Sequence, residues 1–322
     1  MKILVTGGAG FIGSHLTDRL IRDGHEVIAV DDLSTGSIKN IQQHGKNKRF
    51  QLIVDTILNE ALMNEMVSAC DQIYHMAAAV GVKLIMNRPV ETLETNVKGT
   101  EMVLAIANKY KKKVLIASTS EVYGKIMTNN GSPPLKEDAD RLMGATTKRR
   151  WAYACSKAFD EFLALAYYDE KRLPVIITRL FNTVGPRQTG QYGMVLPNFV
   201  QKALIGKPII IYGDGSQSRS FTHIADVVEA LVKLMDAPQA IGQVVNVGNK
   251  EEITIQALAE MVKEMTASSS EIEHITYDRA YGPGFEDMQR RSPDTTKLKN
   301  LIGYEPQNDL RSIVQSVIDY YL

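Results

Sequence analysis

The 322-residue sequence predicts an α/β protein in which a doubly wound parallel sheet is followed by a smaller α+β C-terminal lobe. Three observations favour this class. Short apolar runs typical of buried strands alternate with helical segments as far as about residue 180. A glycine-rich turn joins the first of these strands to the first helix. Beyond about residue 183 the strict alternation stops, which indicates a second architecture.

The N-terminal unit is predicted to contain a strand at 2–5, a glycine-rich turn at 6–13, a helix at 14–21 and a strand at 26–30. In such a unit Gly7, Gly10 and Gly13 allow the backbone to approach a pyrophosphate. Phe11 and Ile12 lie where the helix begins, and a helix N-terminus offers N–H groups and a positive dipole end. The unit therefore predicts a Rossmann dinucleotide-binding site.

The nature of the dinucleotide is indicated by the residues that follow the second strand. Asp31 lies at the distance from the first glycine where an acid accepts a hydrogen bond from a ribose hydroxyl. Asp32 follows it, and no arginine lies nearby to bind a 2′-phosphate. This pattern favours NAD over NADP.

The alternation then continues with predicted strands at 50–54, 72–76, 114–117 and 174–178 and helices at 60–69 and 96–109. Small residues follow the strand at 72–76, and Ala77 there would let a cofactor lie close to the backbone. His75 stands alone within that strand, so a core histidine without a chemical role is expected.

A polar segment, Ser118 to Gly124, closes the strand at 114–117. Ligands of open parallel sheets bind at the carboxyl edge, where this segment is expected to lie. Tyr153 and Lys157 follow on a predicted helix, and residues four apart share one helical face. The strand end and the helix together predict one acid–base site.

The chemistry of this site follows from its residue types. A phenol has an ordinary pKa of about 10, so it is a poor base at neutral pH. The Lys157 ammonium and a positively charged nicotinamide would lower the pKa of Tyr153. The tyrosinate could then take a proton from a sugar hydroxyl while a hydride leaves the same carbon for NAD. A hydrogen bond from Thr119 would orient the reacting oxygen.

The C-terminal part is predicted to contain loops at 183–194, a helix at 196–205, a strand at 208–212 and helices at 255–265 and 310–321. We expect residues 1–182 to form the cofactor domain and residues 183–322 the substrate lobe, with a strand at 242–248 returning to the main sheet. The fragment 129–134 is predicted to be a turn-rich loop. The basic run 148–150 is expected to be the solvated start of a helix.

The overall composition excludes several classes of function. Lys+Arg and Asp+Glu are equal at 37 each, so the whole chain has no charge bias toward nucleic acid or anionic membrane. Cys70 and Cys155 form no disulfide framework or metal cluster and suit a reducing compartment. The N-terminus enters a strand at once, and no apolar run approaches membrane-spanning length. A cytoplasmic protein without a metal site is expected.

Three motifs resemble those of the extended short-chain dehydrogenase/reductase family of nucleotide-sugar enzymes: the glycine-rich run 6–13, the Tyr153/Lys157 pair and the stretch 179–187. The resemblance covers essentially the whole chain. It implies tightly held NAD, a nucleoside-diphosphate sugar substrate and transient oxidation at C4. It also implies a homodimer paired through helices at about 96–109 and 153–168.

The resemblance also assigns residues to the substrate. It implies that Asn182 lies near the sugar or the diphosphate and that the strand bearing Tyr212 borders the nucleotide base. Arg219 would hold the diphosphate, and the bidentate, charge-assisted bonds of an arginine suit phosphate.

Three reactions share the C4 ketone. Epimerisation requires only that the ketosugar turn over and receive the hydride on its other face. Dehydration requires removal of the C5 proton and loss of the C6 hydroxyl, whereas decarboxylation of a uronic acid proceeds from a β-keto acid. The last two benefit from a further ionisable group such as Glu121, which strand alternation would place on the same face as Thr119.

The segment 118–124 resembles that of UDP-glucuronate decarboxylases, whereas 4,6-dehydratases usually have Asp-Glu where this chain has Ser120 and Glu121. The stretch 281–293 also resembles the decarboxylases. Arg291 there could lie at the reacting end of the sugar or bind the diphosphate, and Glu121 could be only a structural hydrogen-bond acceptor.

The sequence therefore favours UDP-glucuronate decarboxylation, with Ser120 also near the substrate. A 4-epimerase acting on UDP-glucose or UDP-glucuronate is the alternative, ahead of a 4,6-dehydratase or a non-catalytic NAD-binding protein.

Overall fold

A computed structural model describes residues 1–125, 132–191, 193–282 and 286–322. Parts of two predicted loops, residues 129–131 and Tyr192, lie outside the described residues, as do residues 283–285 of the stretch that resembles the decarboxylases.

The described residues contain the following strands and helices. The strands are β1 (Lys2–Thr6), β2 (Glu26–Asp31), β3 (Phe50–Val54), β4 (Gln72–His75), β5 (Lys113–Thr119), β6 (Val175–Leu180), β7 (Thr183–Val184), β8 (Ile209–Tyr212), β9 (Ser218–Ser220), β10 (Thr222–His223), β11 (Gln243–Val247), β12 (Glu252–Thr254), β13 (Ile272–Ile275) and β14 (Arg290–Arg291). The α-helices are α1 (Phe11–Arg22), α2 (Glu60–Ala69), α3 (Val82–Asn87), α4 (Pro89–Tyr110), α5 (Ala152–Lys171), α6 (Val195–Leu204), α7 (Ile224–Asp236), α8 (Ile255–Met265), α9 (Tyr277–Tyr281), α10 (Thr296–Ile302) and α11 (Leu310–Tyr321).

A seven-stranded parallel sheet forms the centre of the protein, in the order β11-β6-β5-β4-β1-β2-β3. The order reverses on either side of β1, so a crevice forms at the carboxyl ends of β1 and β4. This arrangement confirms the predicted doubly wound α/β class.

Helices cover both faces of this sheet, as a parallel sheet buried on both sides requires. One apolar core joins the sheet to α1, α7 and α10, and a second joins it to α2, α4 and α5. The middle residues of the central strands are therefore apolar; for example, Val175, Ile176 and Ile177 of β6 are fully buried.

A further apolar core lies beyond the main sheet, where α6, α8 and α11 pack on the short parallel pair β8–β13. Strands β12, β9 and β14 form a three-stranded sheet beside it. This sheet matters for the site, because its central strand carries Arg219 and its edge strand carries Arg291.

The helix α7 was not predicted from the sequence, and it corrects the expectation that alternation stops after residue 183. Its buried face packs on the main sheet, and β11 follows it to pair with β6. The segment 224–247 is therefore part of the unit built on the main sheet. The predicted domain boundary between residues 182 and 183 stays a prediction. The helix expected at 96–109 is also longer, because α4 begins at Pro89, a favourable first residue.

Candidate active site

A cavity of about 610 Å³ opens at the carboxyl edge of the main sheet. Its walls combine the start of α1, the ends of β4 and β5, the start of α5 and residues of the three-stranded sheet. A single cavity thus brings together Thr119, Glu121, Tyr153, Asn182 and Arg291. Phe11, Ile12, Ser120, Tyr212 and Arg219 also line it.

The glycine-rich turn lies very close to the neighbouring backbone, so that an added Cβ would clash at Gly7 and at Gly13. Gly7 has a φ of +69°, and a Cβ there would lie 2.8 Å from the Ala77 Cα. A Cβ on Gly13 would lie 2.0 Å from the Gly7 carbonyl oxygen, so this glycine allows α1 to pack on the turn. At Gly10 the added atom would meet only the Gly7 oxygen, at 3.1 Å. The exposed edge of the turn and the unpaired first N–H groups of α1 fit a pyrophosphate.

We expect Gly13→Ala to lower the free energy of unfolding by about 3 kcal/mol, because the new methyl group forces α1 away from the turn. Urea unfolding measures the change. Gly45→Ala is the control, because its added Cβ would meet only the Gln42 carbonyl oxygen, at 3.3 Å. Equal stability of the two variants would contradict the expectation.

Asp31 ends β2 and is buried. Its carboxylate accepts hydrogen bonds from the backbone N–H groups of Ala9, at 2.9 Å, and Leu33, at 2.8 Å. Burial raises its pKa above the ordinary value. The carboxylate thus holds the glycine-rich turn in place and keeps free lone pairs that suit a ribose hydroxyl.

The backbone that follows β4 forms the opposite side of the crevice. Ala77 N–H donates to the Thr6 hydroxyl at 3.2 Å. Asn96, whose role the sequence did not reveal, exchanges hydrogen bonds with the N–H and carbonyl groups of Ala79. His75 is buried between the hydroxyls of Thr6 and Thr100, which confirms a core histidine. Burial and then the Lys157 charge lower its pKa to about 3.

The polar segment after β5 is not extended, which corrects the argument from strand alternation. Strand β5 ends at Thr119, and residues Ser120–Tyr123 form a 3₁₀ turn that Thr119 caps by accepting from the Glu121 N–H at 3.2 Å. Glu121 therefore reaches the cavity through the turn. Ser120 is 1% exposed, and its contact with substrate stays a prediction.

Tyr153 and Lys157 share one buried face of α5, as their spacing predicts. The Lys157 ammonium, however, donates to the Asp160 carboxylate at 2.9 Å. Burial and then the Glu121 charge raise the pKa of Tyr153, whereas a hydrogen bond with Thr119 lowers it. The expectation that Lys157 lowers the pKa of Tyr153 stays a prediction, because it involves the nicotinamide charge as well, and Lys157 is paired with a carboxylate on its own helix.

Glu121 forms the centre of a buried charge cluster. Its carboxylate accepts from Arg150 at 2.5 Å and lies 3.5 Å from the Arg291 guanidinium. Burial opposes ionisation, but Arg150 and Arg291 outweigh it and hold the pKa of Glu121 below its ordinary value. Glu121 is therefore an anion at neutral pH.

Arg291 and Asn182 meet in the same cavity. The Arg291 guanidinium donates to the Asn182 side-chain oxygen at 2.6 Å, and the Asn182 amide donates to the Ser220 carbonyl at 2.8 Å. Burial and then the neighbouring Arg219 charge lower the pKa of Arg291 to about 10. Arg219 and Arg291 are directly opposite each other in the β9–β14 ladder, which explains the repulsion.

Arg219 already has protein partners. It donates to the Asp287 carboxylate at 3.0 Å and to the Ser218 and Gln289 carbonyls. A diphosphate at Arg219 would therefore share it with Asp287. Tyr212 lies at the end of β8 with its ring 5.2 Å from that of Tyr281, so two aromatic rings border this end of the cavity.

Arg150 and Asp287 are site residues that sequence reasoning missed. The prediction that the run 148–150 is solvated is wrong for Arg150, which is 4% exposed, although Arg149 is exposed. The only sequence signal was the position of Arg150 three residues before Tyr153, nearly one helical turn. Asp287 offered no comparable signal.

A glycine-rich turn between the first strand and helix, together with a Tyr–Lys helix at the carboxyl edge of a parallel sheet, defines a short-chain dehydrogenase/reductase. Within this class the chain belongs to the GDP-mannose 4,6 dehydratase family, whose sequence profile matches residues 4–317.

Individual relatives are similar over nearly the whole chain. The UDP-N-acetyl-alpha-D-glucosaminuronate decarboxylase of Bacillus cytotoxicus is 42% identical over 321 residues, which are 99% of this chain and 97% of the relative. The UDP-glucuronic acid decarboxylase 1 of Danio rerio is 38% identical over 99% of this chain and 72% of its own length. The UDP-glucuronic acid 4-epimerase of Bacillus cereus, solved with UDP-glucuronic acid and NAD, superposes with a TM-score of 0.88 and 30% identity, covering 99% of this chain and 98% of that chain.

Among the described residues, the helices are all too short or too polar to span a bilayer.

Proposed function

We propose that this protein catalyses the NAD-dependent decarboxylation of a UDP-linked hexuronic acid. The observation that carries the proposal is the ionised Glu121 carboxylate, which lies beside Tyr153 and is flanked by two buried arginines. Oxidation at C4 relies on Tyr153, Thr119 and Lys157, so a further charged cluster beside Tyr153 indicates chemistry at a neighbouring carbon.

Bound NAD would accept a hydride from the sugar C4 and give it back after carbon dioxide has left, so that the product is a UDP-pentose and NAD is regenerated. The start of α1 with Gly7 and Gly10 would hold its pyrophosphate, and Asp31 its ribose. The chain's own part begins with Tyr153, which as a tyrosinate takes the proton of the C4 hydroxyl. The positive charges of Lys157 and of a bound nicotinamide would offset the burial that raises its pKa. Thr119, within hydrogen-bond reach of the phenol, orients that hydroxyl. Lys157 is held beside them by Asp160.

The resulting 4-keto sugar is a β-keto acid. The bond between C5 and the carboxylate carbon breaks, carbon dioxide leaves, and the electron pair forms an enolate on the C4 oxygen. A hydrogen bond donated by the protonated Tyr153 would stabilise that oxygen, and a water molecule then protonates C5. Glu121 is ionised, so it has no proton of its own to donate and would act through charge and by orienting a water molecule. Arg291 would bind the carboxylate before it leaves.

The relatives support a decarboxylase, since two that match nearly the whole chain are named as decarboxylases of UDP-linked uronic acids. They differ at the sugar C2, where one name specifies an N-acetyl group. A 4-epimerase is the second candidate, favoured by the close superposition on the Bacillus cereus epimerase. A 4,6-dehydratase is less well supported, because Ser120 replaces the usual acid.

Proton NMR of the products tests the proposal. We would incubate the protein and NAD separately with UDP-glucuronate, UDP-N-acetylglucosaminuronate and UDP-glucose. A UDP-pentose, with or without the N-acetyl group, is the expected product of one of the first two. A C4 epimer that retains all its carbons would overturn decarboxylation and establish the alternative.

The substrate would be UDP-linked, and we further propose that the protein works in the cytoplasm as a homodimer. Helices α4 and α5 pack side by side, and α5 exposes Phe159 and Phe162 at 49% and 62%. Two large apolar side chains one turn apart favour burial against a second copy.

Phe162→Asp should convert the dimer to a monomer, because the charge would have to be buried in the interface. Light scattering after size-exclusion chromatography measures the mass. Ile205→Asp is the matched control, since Ile205 is 63% exposed and lies on α6's C-terminal cap, away from α5. A monomeric wild type, or a dimeric Phe162 variant, would exclude this interface.

A further inference from the structure

Arg150 is a buried arginine at a position where the sequence predicts a solvated one. It lies in the 3₁₀ turn Arg149–Trp151 that precedes α5, and its side chain is 5% exposed. Burying a guanidinium is costly unless its charge is compensated. Such a residue needs a reason beyond filling space.

The compensation comes from two acids on separate segments. Arg150 donates to the Glu121 carboxylate at 2.5 Å and lies 3.5 Å from the Asp287 carboxylate. Glu121 follows the main sheet, whereas Asp287 precedes the edge strand of the three-stranded sheet. The Arg150 Nε has no hydrogen-bond partner among the described residues, so its two acidic contacts are what fix the guanidinium.

The two arginines beside Glu121 contact it at different distances. Arg150 bonds it directly, Arg291 lies at 3.5 Å, and Asp287 and Tyr153 are the other titratable groups that face it. Asp287 in turn is bonded by Arg219 at 3.0 Å. Among the described residues Arg291 therefore has one ion pair, at 3.5 Å, and one hydrogen bond, to the neutral Asn182 side chain, while the Asp287 charge acts on it from farther away. Its Nε also has no partner among the described residues.

We infer that Arg150 is the positioning residue of this site: it fixes the Glu121 carboxylate and compensates its charge, and thereby leaves Arg291 available for the carboxylate of the substrate. The inference rests on the proposed function, because it assigns Arg291 to a uronic acid. Without Arg150, Arg291 would close on Glu121, and the two groups would no longer present one anion and one free cation to the sugar.

The experiment compares Arg150→Met, Arg150→Lys and the double variant Glu121→Gln/Arg150→Met with the wild type, using UDP-glucuronate over a range of pH. Arg149→Met is the matched control, since the adjacent Arg149 is exposed. We expect Arg150→Met to lower kcat about 100-fold. The acidic limb of the plot of kcat against pH should move to higher pH in this variant, because Glu121 without its Arg150 partner is protonated more readily. Arg150→Lys should recover part of the loss, since one ammonium can pair with Glu121.

The double variant distinguishes positioning from a structural role. If Arg150 acts through Glu121, removing it from the Glu121→Gln protein lowers kcat no further and moves the acidic limb no further. The inference would be overturned if the reductions in kcat caused by the two single substitutions multiplied in the double variant. It would also be overturned if the acidic limb of the pH profile did not move in Arg150→Met. If Arg150→Met fails to fold, two other comparisons replace it. Arg150→Lys is then compared with the wild type, and the double variant is compared with Glu121→Gln.

Failure of the proposed function gives a different result. A wild type that returns a C4 epimer refutes decarboxylation whatever the variants do. The same variants measured in that epimerisation would then be as active as the wild type if Arg150 serves only the carboxylate.

Discussion

Tyr153→Phe is expected to reduce turnover about 1,000-fold while leaving the substrate affinity nearly unchanged, because only the group that accepts the C4 proton is lost. The phenol lies in the shared cavity within hydrogen-bond reach of Thr119, and its ring is buried. Phenylalanine keeps that ring, so the fold should be retained.

Two measurements separate catalysis from binding. Absorbance at 340 nm follows oxidation of the sugar in a single turnover, and calorimetry with UDP follows binding. Tyr168→Phe is the control, because Tyr168 lies on the same helix outside the cavity. A variant that loses UDP binding together with turnover would contradict a purely catalytic role.

Glu121→Gln is expected to produce two effects of opposite kind. Release of carbon dioxide should fall about 100-fold, since the anion beside the reacting carboxylate is gone. Oxidation at C4 should persist and extend to lower pH. The sign follows from the structure: the Glu121 charge raises the pKa of Tyr153, so its removal lowers that pKa and allows the tyrosinate to form in more acidic solution.

The two effects require separate assays, product release by NMR and single-turnover reduction at 340 nm. Glu94→Gln controls for loss of an acid, because Glu94 is exposed and pairs only with Lys98 among the described residues. Full decarboxylation by Glu121→Gln would reduce Glu121 to a structural acceptor. Simultaneous loss of both steps would show that the cluster serves the oxidation as well.

Local patterns were enough to predict the sheet and the cofactor crevice. The glycine spacing, the apolar strands and the Tyr–Lys interval each depend on residues close together in the chain, where periodicity determines which face is buried. The helix α7 escaped notice because it lies between short strands of the second lobe, although it packs on the main sheet.

The charge cluster was less accessible to sequence reasoning. Whether an arginine is solvated or buried depends on where its partners are, and Arg150 meets Glu121 from 29 residues earlier and Asp287 from a distant loop. Lys157 illustrates the same limit: the motif indicates its face, but only the fold reveals that Asp160 holds its ammonium. Strand β5 likewise ends at Thr119, two residues before Glu121, so strand alternation does not determine where the Glu121 side chain lies.

The facing arginines of β9 and β14 have a consequence for the empty protein. Two like charges opposed in one ladder repel, and Asp287 and Glu121 offset this electrostatic cost only in part, since the Arg219 charge still lowers the pKa of Arg291. A diphosphate or carboxylate would relieve this repulsion directly, whereas salt screens two buried guanidinium groups poorly. The melting temperature of the protein should therefore rise on binding UDP by more than it rises with added salt. Relief of the repulsion between these paired strands would therefore contribute to the binding free energy of an anionic ligand.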